Sequence, residues 1–189
     1  LGMLGTKRRQ FGNIVGHVSG VGDMGSLSEW TAKQFDPALN WGDVEWIKQR
    51  WGGKLILKGI QDVEDAKLAA DSGADALIVS NHGGRQLDGA QSSIEALPSI
   101  VDAVGSRIEI HMDGGIRSGQ DVLKARALGA RGVYIGRPML YGLGAMGEEG
   151  VSKCLQILHK ELDITMAFCG HTNINTVDRS ILLPGTYPT

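Results

Sequence analysis

The sequence predicts an α/β protein built on a parallel β-sheet, and two observations carry this prediction. From residue 54 onward, short apolar runs alternate with amphipathic stretches of helical periodicity, which is the rhythm of βα units. The runs are almost continuously apolar, as is typical of parallel strands that are buried on both faces. Four runs share this pattern: residues 55–57, 76–79, 108–112 and 132–135.

Each predicted strand ends in glycine or polar residues and is followed by a predicted helix. The strand ends are Lys58-Gly59, Ser80-Asn81-His82, Asp113-Gly114-Gly115 and Gly136-Arg137. The helices are expected over residues 62–72, 93–104 and 121–128, with a fourth that continues to Ala145. Gly73 and Gly129 stand where C-terminal helix stops are expected. Because the carboxyl ends of parallel strands share one edge of the sheet, the strand-end residues are expected to converge there.

The flanks of these units are predicted to be mainly helical. Ser26-Leu27-Ser28-Glu29 has the form of a capping box, which predicts a helix from there to about Phe35. Another helix is predicted over residues 41–50, and a long closing helix after Gly150. We therefore expect a single domain over residues 1–189, with segments 1–53, 54–146 and 147–189.

Composition and charge exclude several classes of protein. Hydrophobic residues make up 42% of the chain and charged residues 21%, which excludes a disordered segment. The net charge of −2 gives no basic surface for nucleic acid apart from the short run Lys7-Arg8-Arg9. Cys154 and Cys169 have the spacing of neither a disulfide framework nor a zinc site, so a reducing compartment and no metal are expected. No apolar run approaches the ~18 residues that span a bilayer.

The glycine pattern at residues 20–25 offers an alternative interpretation. It matches G-x-G-x-x-G letter for letter, and such a loop holds a dinucleotide when a strand precedes it and a βαβ unit contains it. Neither is predicted at this place. A nicotinamide-binding domain is therefore an alternative that depends on an unrecognised strand before Gly20.

The second strand end contains the strongest candidate for chemistry. His82 is the side chain best suited to move a proton near neutral pH. Arg85, three residues later, offers a planar fork that can hold a carboxylate through two hydrogen bonds. The two intervening glycines leave room for a flat ligand near the backbone. The spacing fits equally well a capped turn with a buried histidine and a surface arginine.

Two further strand ends suggest a phosphate site. Glycine followed by arginine occurs in Asp113-Gly114-Gly115-Ile116-Arg117 and again in Gly136-Arg137. Backbone N–H groups near a helix N-terminus, together with arginine, bind phosphate; ordinary turn glycines with solvated arginines are the alternative. Lys58, alone at the end of an apolar strand, requires an anionic partner.

These motifs together resemble the family of FMN-dependent α-hydroxy acid dehydrogenases and oxidases. The resemblance runs from about residue 12 to 183 and is carried by S-N-H-G-G-R-Q-L-D at 80–88, D-G-G-I-R at 113–117 and I-G-R-P at 135–138. The flank F-D-P-A-L-N-W-G-D-V-E-W-I at 35–47 looks most like the bacterial respiratory L-lactate dehydrogenases.

The resemblance implies a role for each strand-end residue. His82 would be the base that takes a proton from the substrate, and Arg85 would bind the substrate carboxylate. Lys58 would stabilise the anionic reduced flavin, Ser80 would contact the isoalloxazine ring and Asp113 the ribityl hydroxyls. The remaining FMN contacts, including those to the phosphate, would come from Gly114, Gly115, Arg117, Gly136 and Arg137.

The resemblance also implies a fold. The family fold is a TIM (β/α)8 barrel, which typically needs about 250 residues, and this chain supplies four βα units. It would thus be the C-terminal half, strands five to eight, and only part of the family's domain. Four parallel strands alone leave an inner face and two sheet edges uncovered, so we expect a fragment or a half-barrel that pairs with another.

The implied activity is FMN-dependent oxidation of an (S)-2-hydroxy acid, foremost L-lactate to pyruvate. Glycolate or mandelate is an alternative substrate. A non-catalytic half-barrel that binds phosphate or flavin, or self-associates, is an alternative function. The resemblance further implies a quinone, cytochrome or oxygen as electron acceptor, a homo-oligomer (a tetramer in the family), no nucleic-acid partner, and a cytoplasmic location with peripheral association at the inner face of the plasma membrane.

Overall fold

The computed structural model describes residue 12 and residues 14–188, apart from the side chain of Met24. The basic run Lys7-Arg8-Arg9 lies outside the described residues. The chain divides into two compact units, Leu1–Asn40 and Trp41–Thr189. Its assignment to one partial domain of a larger fold stays a prediction.

In the first unit, helix α1 spans Met24–Lys33. Its N-cap is Asp23, whose carboxylate accepts a hydrogen bond from the Ser26 backbone N–H at 2.8 Å. Ser26 Oγ in turn accepts one from the Asp23 N–H at 3.0 Å. The predicted box from Ser26 to Glu29 is therefore wrong, because Ser26 already occupies the third helical position. Glu29 instead pairs with Lys33, one turn later.

The glycine pattern at residues 20–25 forms the approach to α1. Among the described residues it follows an isolated bridge between Val15 and Val18 rather than a strand. The βαβ unit that nicotinamide binding requires is not formed by this segment. The helix also ends two residues before the predicted Phe35.

The second unit alternates strands and helices in the predicted order, after an initial helix α2 (Trp41–Trp51). The strands are β1 (Ile56–Ile60), β2 (Ala76–Val79), β3 (Glu109–Asp113) and β4 (Gly132–Tyr134). The helices that follow them are α3 (Val63–Asp71), α4 (Ser93–Val104), α5 (Gly119–Ala127), α6 (Arg137–Met146) and α7 (Glu148–Phe168). Short 3-10 helices lie at His82–Gly84, Ile174–Thr176 and Arg179–Ile181.

The strands form one sheet in the order β1-β2-β3-β4, and each adjacent pair is parallel. The prediction of an α/β fold with a parallel sheet is confirmed. One boundary differs from the prediction in a way that affects the site: β1 does not close at Lys58-Gly59 but continues to Ile60. Its register shifts between Lys58 and Ile60, which is a β-bulge.

Local capping explains where the helices begin. Asp62 accepts hydrogen bonds from the backbone N–H groups of Glu64 and Asp65 at the start of α3. Ser92 and Ser118 begin α4 and α5 with capping boxes. The structure places α4 at the predicted residues, whereas α5 begins two residues earlier than expected because Ser118 caps it.

The two faces of the sheet differ. Strand residues such as Leu57, Leu77 and Ile110 belong to a core that also contains apolar residues of α3, α4 and α5. The alternate residues point away from that core, and Ile56 and Tyr134 among them are 46% and 41% exposed. Helices therefore cover one face of the sheet, and Ile56 and Tyr134 lie on the opposite face.

The carboxyl-terminal part of the unit is a helical hairpin. Helix α7, 21 residues long, packs on α6 and α5. The segment after it is attached to α5 by Arg126, which donates hydrogen bonds to the carbonyls of Ile174 and Asn175. None of the helices in the described ranges is both long enough and apolar enough to cross a bilayer.

Candidate active site

A cavity of about 760 Å³ opens at the carboxyl ends of the four strands. The site residues predicted from the sequence all line it except Ser80, which accepts a hydrogen bond from the lining Lys58. The predicted residues in its wall are Lys58, His82, Arg85, Asp113, Gly114, Gly115, Arg117, Gly136 and Arg137. Residues from four separate strand ends thus meet at one edge, as parallel strand geometry requires.

Lys58 lies at the centre of a polar network. Its Nζ is 2.8 Å from Asp113 Oδ2 and donates a hydrogen bond to Ser80 Oγ at 2.9 Å. These partners come from the ends of β3 and β2, so the three strands are joined by one ammonium group. The Lys58 side chain is 41% exposed, which leaves part of its charge open to the cavity. The anionic partner expected for this lysine is Asp113.

Ser80 connects this network to the histidine. It is buried, and its Oγ also accepts a hydrogen bond from the His82 backbone N–H at 3.1 Å. Asn81 caps the short 3-10 helix by accepting from the Gly83 N–H at 2.9 Å. His82 itself adopts φ +55°, a left-handed conformation that is uncommon for a non-glycine residue. The loop after β2 is thus held in an unusual path that presents His82 to the cavity.

The alternative of a buried structural histidine does not describe this loop. His82 is exposed and lines the cavity, and Arg85, the C-cap of the 3-10 helix, lines it as well. A proton-transfer group and a carboxylate-binding group therefore face the same space. The side chains of Lys58, His82 and Arg85 give that space a histidine and two basic groups.

Asp113 has one carboxylate oxygen in use and one without a partner. Oδ2 pairs with Lys58, whereas Oδ1 is buried and has no hydrogen-bond partner among the described residues. An unpaired buried carboxylate oxygen is costly. Oδ1 can therefore accept a hydrogen bond from a hydroxyl group of a ligand.

The two helix N-termini at this edge differ in how their N–H groups are satisfied. At α5, Asp121 Oδ2 accepts hydrogen bonds from the N–H groups of Arg117 and Ser118. At α6, the N-cap Gly136 has no side chain to offer and no side-chain cap is present. The α6 N-terminus is thus the one of these two that is open to an anion.

The arginines at this edge have different surroundings. Arg137 begins α6 and donates a hydrogen bond from Nη2 to the Gly83 carbonyl at 3.2 Å, so it also supports the histidine loop. It is therefore more than a solvated side chain. The side chain of Arg117 is exposed where it lines the cavity, so a solvated arginine remains a valid interpretation for it.

Sequence analysis missed several residues of the cavity. Tyr134 lines it from the end of β4, and Gln86 and Leu140 contribute from the loop after β2 and from α6. Tyr134 could have been found from strand alternation, since it follows Val133, a residue packed on the core. Gln86 and Leu140 gave no comparable signal.

Fold and site together define a parallel α/β protein that can hold an anionic ligand at the carboxyl edge of its sheet, beside a histidine and an arginine. More particularly, the chain belongs to the FMN-dependent dehydrogenase family, whose model matches residues 5–184. The resemblance inferred from the motifs is confirmed.

The similar proteins include several hydroxy acid enzymes. An L-lactate dehydrogenase of Caulobacter vibrioides is 49% identical over 185 residues, which are 96% of this chain and 47% of that protein. The 2-hydroxyacid oxidase 1 of Mus musculus is 44% identical over 161 residues, 85% of this chain and 44% of its own. The chain thus spans about half the length of the curated relatives it matches.

Solved structures agree in fold. A monotopic membrane protein, (S)-mandelate dehydrogenase, superimposes with a TM-score of 0.80 at 39% identity, covering 85% of this chain and 43% of that one. A mandelate oxidase variant with a monooxide FMN adduct gives a TM-score of 0.73 at 47% identity, covering 77% and 46%.

Proposed function

We propose that the protein is an FMN-dependent oxidoreductase that converts an (S)-2-hydroxy acid, foremost L-lactate, to the 2-oxo acid. The observation that carries this proposal is the convergence of Lys58, His82 and Arg85 on one cavity with Asp113, whose buried Oδ1 has no hydrogen-bond partner among the described residues. Relatives named L-lactate dehydrogenase support lactate as the substrate. Mandelate, which names the structural neighbours, and glycolate are the alternatives.

The cavity residues fit FMN. Asp113 Oδ1 can accept a hydrogen bond from a ribityl hydroxyl, since no described residue donates to it. The open N-terminus of α6 and Arg137 suit a phosphate, with Arg117 beside them. Gly114 and Gly115 have φ of +91° and +80°, a glycine conformation that leaves the backbone accessible to a ligand.

Ser80 and Lys58 suit the flavin ring. Ser80 Oγ already accepts from Lys58 Nζ and from the His82 N–H, so its own hydroxyl proton is free to donate to the ring. Lys58 supplies positive charge that stabilises an electron-rich ring. FMN, when bound, supplies the acceptor for two electrons.

The protein's own groups then deal with the substrate. Arg85 holds the substrate carboxylate through two hydrogen bonds and so fixes the orientation of the hydroxyl-bearing carbon. His82 accepts a proton from the substrate as the base. Forming the 2-oxo acid releases two electrons and two protons; His82 would take one proton, and FMN, when bound, would supply the acceptor for the two electrons and the other proton.

The finer fold assignment is part of the proposal. The four βα units would be strands five to eight of a (β/α)8 barrel. This is supported by the sequential parallel order of the strands, by the one-sided helical cover, and by relatives of about twice the length. The uncovered inner face and the free edges of β1 and β4 would then meet four further βα units.

The proposed partners follow from the same family. The electron acceptor would be a quinone, a cytochrome or oxygen, and the protein would form a homo-oligomer, a tetramer as in the family. Peripheral membrane association is supported by the monotopic membrane (S)-mandelate dehydrogenase, and the proposed location is the cytoplasm, at the inner face of the plasma membrane.

The test is the His82→Gln variant of the flavin-loaded protein. We expect turnover of L-lactate to fall by orders of magnitude, because the base is lost, whereas flavin absorbance remains. His159→Gln, on the exposed side of α7, is the matched control and should keep turnover. Assays with glycolate and (S)-mandelate rank the substrates. Unchanged turnover in His82→Gln would refute the assignment of the base.

A non-catalytic half-barrel that binds phosphate or flavin, or self-associates, is the second candidate. The exposure of Ile56 and Tyr134 on the uncovered sheet face favours it. An absorbance spectrum and a size measurement distinguish the two candidates. Fused to the N-terminal half of the Caulobacter L-lactate dehydrogenase, a chain that stays flavin-free, self-associates and oxidises none of the three acids would support the second.

A further inference from the structure

The bulge in β1 places a glycine directly against the histidine. Lys58 pairs with Ile78 and Ile60 with Val79, so Gly59 is the extra residue between two regular pairs. Its φ of +98° is a conformation that residues with a side chain rarely adopt. The bulge lets the chain present Lys58 to the cavity and turn the bare backbone of Gly59 toward the loop after β2.

The ring of His82 occupies the space that a side chain at Gly59 would fill. A Cβ built on Gly59 would lie 2.7 Å from His82 Cε1, and 3.6 Å from both Nδ1 and Nε2. The edge of the imidazole that carries Cε1 therefore lies over Gly59. The backbone N–H of His82 is held by Ser80, so the ring can move aside only by rotating about its side-chain torsions, which changes its aim into the cavity.

We propose that Gly59 is a positioning residue for His82. The absence of a side chain at Gly59 sets the depth and tilt of the imidazole, while the same bulge fixes the adjacent Lys58 on Ser80 and Asp113. The base and the ammonium group are thereby held in one geometry by consecutive residues of β1. The consequence for catalysis rests on the proposed function, but the contact itself does not.

The first test is a double-mutant cycle on thermal unfolding, with FMN at saturating concentration in every sample. Gly59→Ala should lower Tm strongly when His82 is present and less when His82→Ala has removed the ring. Should Gly59→Ala fail to fold, the double variant is expected to fold again. Additive losses of Tm, or a double variant that also fails to fold, would overturn the proposal.

Gly73→Ala is the matched control for backbone strain. Gly73 also has a positive φ, +78°, but a Cβ there meets nothing within 4 Å. Its loss of Tm should therefore be the same with or without the His82 ring. If Gly73→Ala showed the same dependence on His82 as Gly59→Ala, the contact would not be the cause.

The second test is kinetic. Gly59→Ala should reduce kcat by about 10²-fold, the effect expected of a misplacement near 1 Å, with KM and flavin absorbance close to those of the parent protein. Gly73→Ala should keep kcat. A loss confined to KM, or an unchanged kcat, would overturn the positioning role. Unimpaired turnover in His82→Gln would refute the assignment of His82 as the base in the proposed function, and the cycle on Tm would still report on the contact.

Discussion

At the scale of single residues, two aspartates at opposite ends of the sheet show how hydrogen-bond saturation separates structural from functional groups. Asp75, before β2, uses both oxygens: it accepts from Lys54, from Lys48 and from the Leu55 backbone N–H. Asp113, at the end of β3, has one oxygen without a partner among the described residues. A saturated carboxylate stabilises the fold, whereas an unsaturated buried one has capacity for a ligand.

Asp113→Asn tests that capacity. We expect the dissociation constant for FMN to rise about 10- to 100-fold, because a hydrogen bond to a charged acceptor and the ion pair with Lys58 are both weakened. Quenching of flavin fluorescence during titration measures the affinity. Asp88→Asn, in the exposed part of the same site region, should leave it unchanged. Equal affinities for FMN in the parent protein, Asp113→Asn and Asp88→Asn would contradict a ribityl contact at Asp113.

Asp75→Asn tests the structural role through pH. The hydrogen bonds from Lys48 and Lys54 hold the pKa of the Asp75 carboxyl far below its usual range. A depressed pKa in the folded state gives stability that is present above the unfolded pKa of about 3.9 and is lost as pH falls toward the folded value. The variant's deficit in Tm should therefore be large at neutral pH and shrink in strong acid.

Thermal melts from neutral pH to about pH 2 measure that deficit, over the range in which carboxylates protonate. Asp163→Asn, an exposed aspartate on α7, provides the control and should show little difference at any pH. A deficit for Asp75→Asn that stayed constant into strong acid would rule out the ion pairs as its origin.

At the scale of elements, α6 combines an open N-terminus with an unusually close helix neighbour. Its Gly142 lies against Gly150 of α7, where a Cβ on Gly142 would be 2.4 Å from the Gly150 carbonyl oxygen. Backbone can approach this closely only because both residues lack side chains. The orientation of α6, and with it the direction of its N–H groups at Arg137, is thus fixed by packing some distance from the cavity.

Gly142→Ala tests this packing. The added methyl group should separate α6 from α7 and cost about 1–3 kcal/mol of unfolding free energy, as overpacking does, and it should also weaken FMN binding. Gly144→Ala, on the same helix with open space around it, should instead stabilise the helix by about 0.5–1 kcal/mol. Urea denaturation measures both. Similar effects of the two substitutions would show that the glycine pair does not set the helix position.

At the scale of the whole molecule, one face of the sheet is covered by helices and the other face is partly exposed. The core lies between the strands and α3, α4 and α5, whereas Ile56 and Tyr134 remain exposed on the other face and Leu140 is 56% exposed on α6. Parallel sheets are normally covered on both faces. The proposed barrel would supply that cover from four additional βα units.

The proposed barrel predicts the behaviour of the chain with and without that cover. Alone, the 189-residue chain should bind a dye specific for exposed apolar surface and associate as concentration rises. Fused to the N-terminal half of the Caulobacter L-lactate dehydrogenase, the same chain should bind less dye and acquire flavin absorbance. Sedimentation and absorbance spectra measure these changes. A monomeric isolated chain with no dye binding would contradict the half-barrel.

Much of the fold could be predicted because its determinants are local. The apolar runs at β2 and β3 and the helix over residues 93–104 follow from periodicity and capping within a few neighbouring residues. The same local rules failed where two signals overlapped: Asp23, with Ser26 at the third position, formed the box that the sequence suggested at Ser26 and Glu29. Where two candidate caps lie a few residues apart, only the backbone geometry decides which of them forms.

The residue types of the site and the family could both be predicted from the sequence. Strand ends rich in glycine, histidine and arginine form a specific pattern. Tertiary structure alone decided that Lys58 reaches Asp113 and Ser80, that Arg137 supports Gly83, and that Gly59 faces His82. These contacts join residues 22 or more positions apart. They depend on strand register and on a bulge, and periodicity along the chain contains no information about the pairing of distant segments.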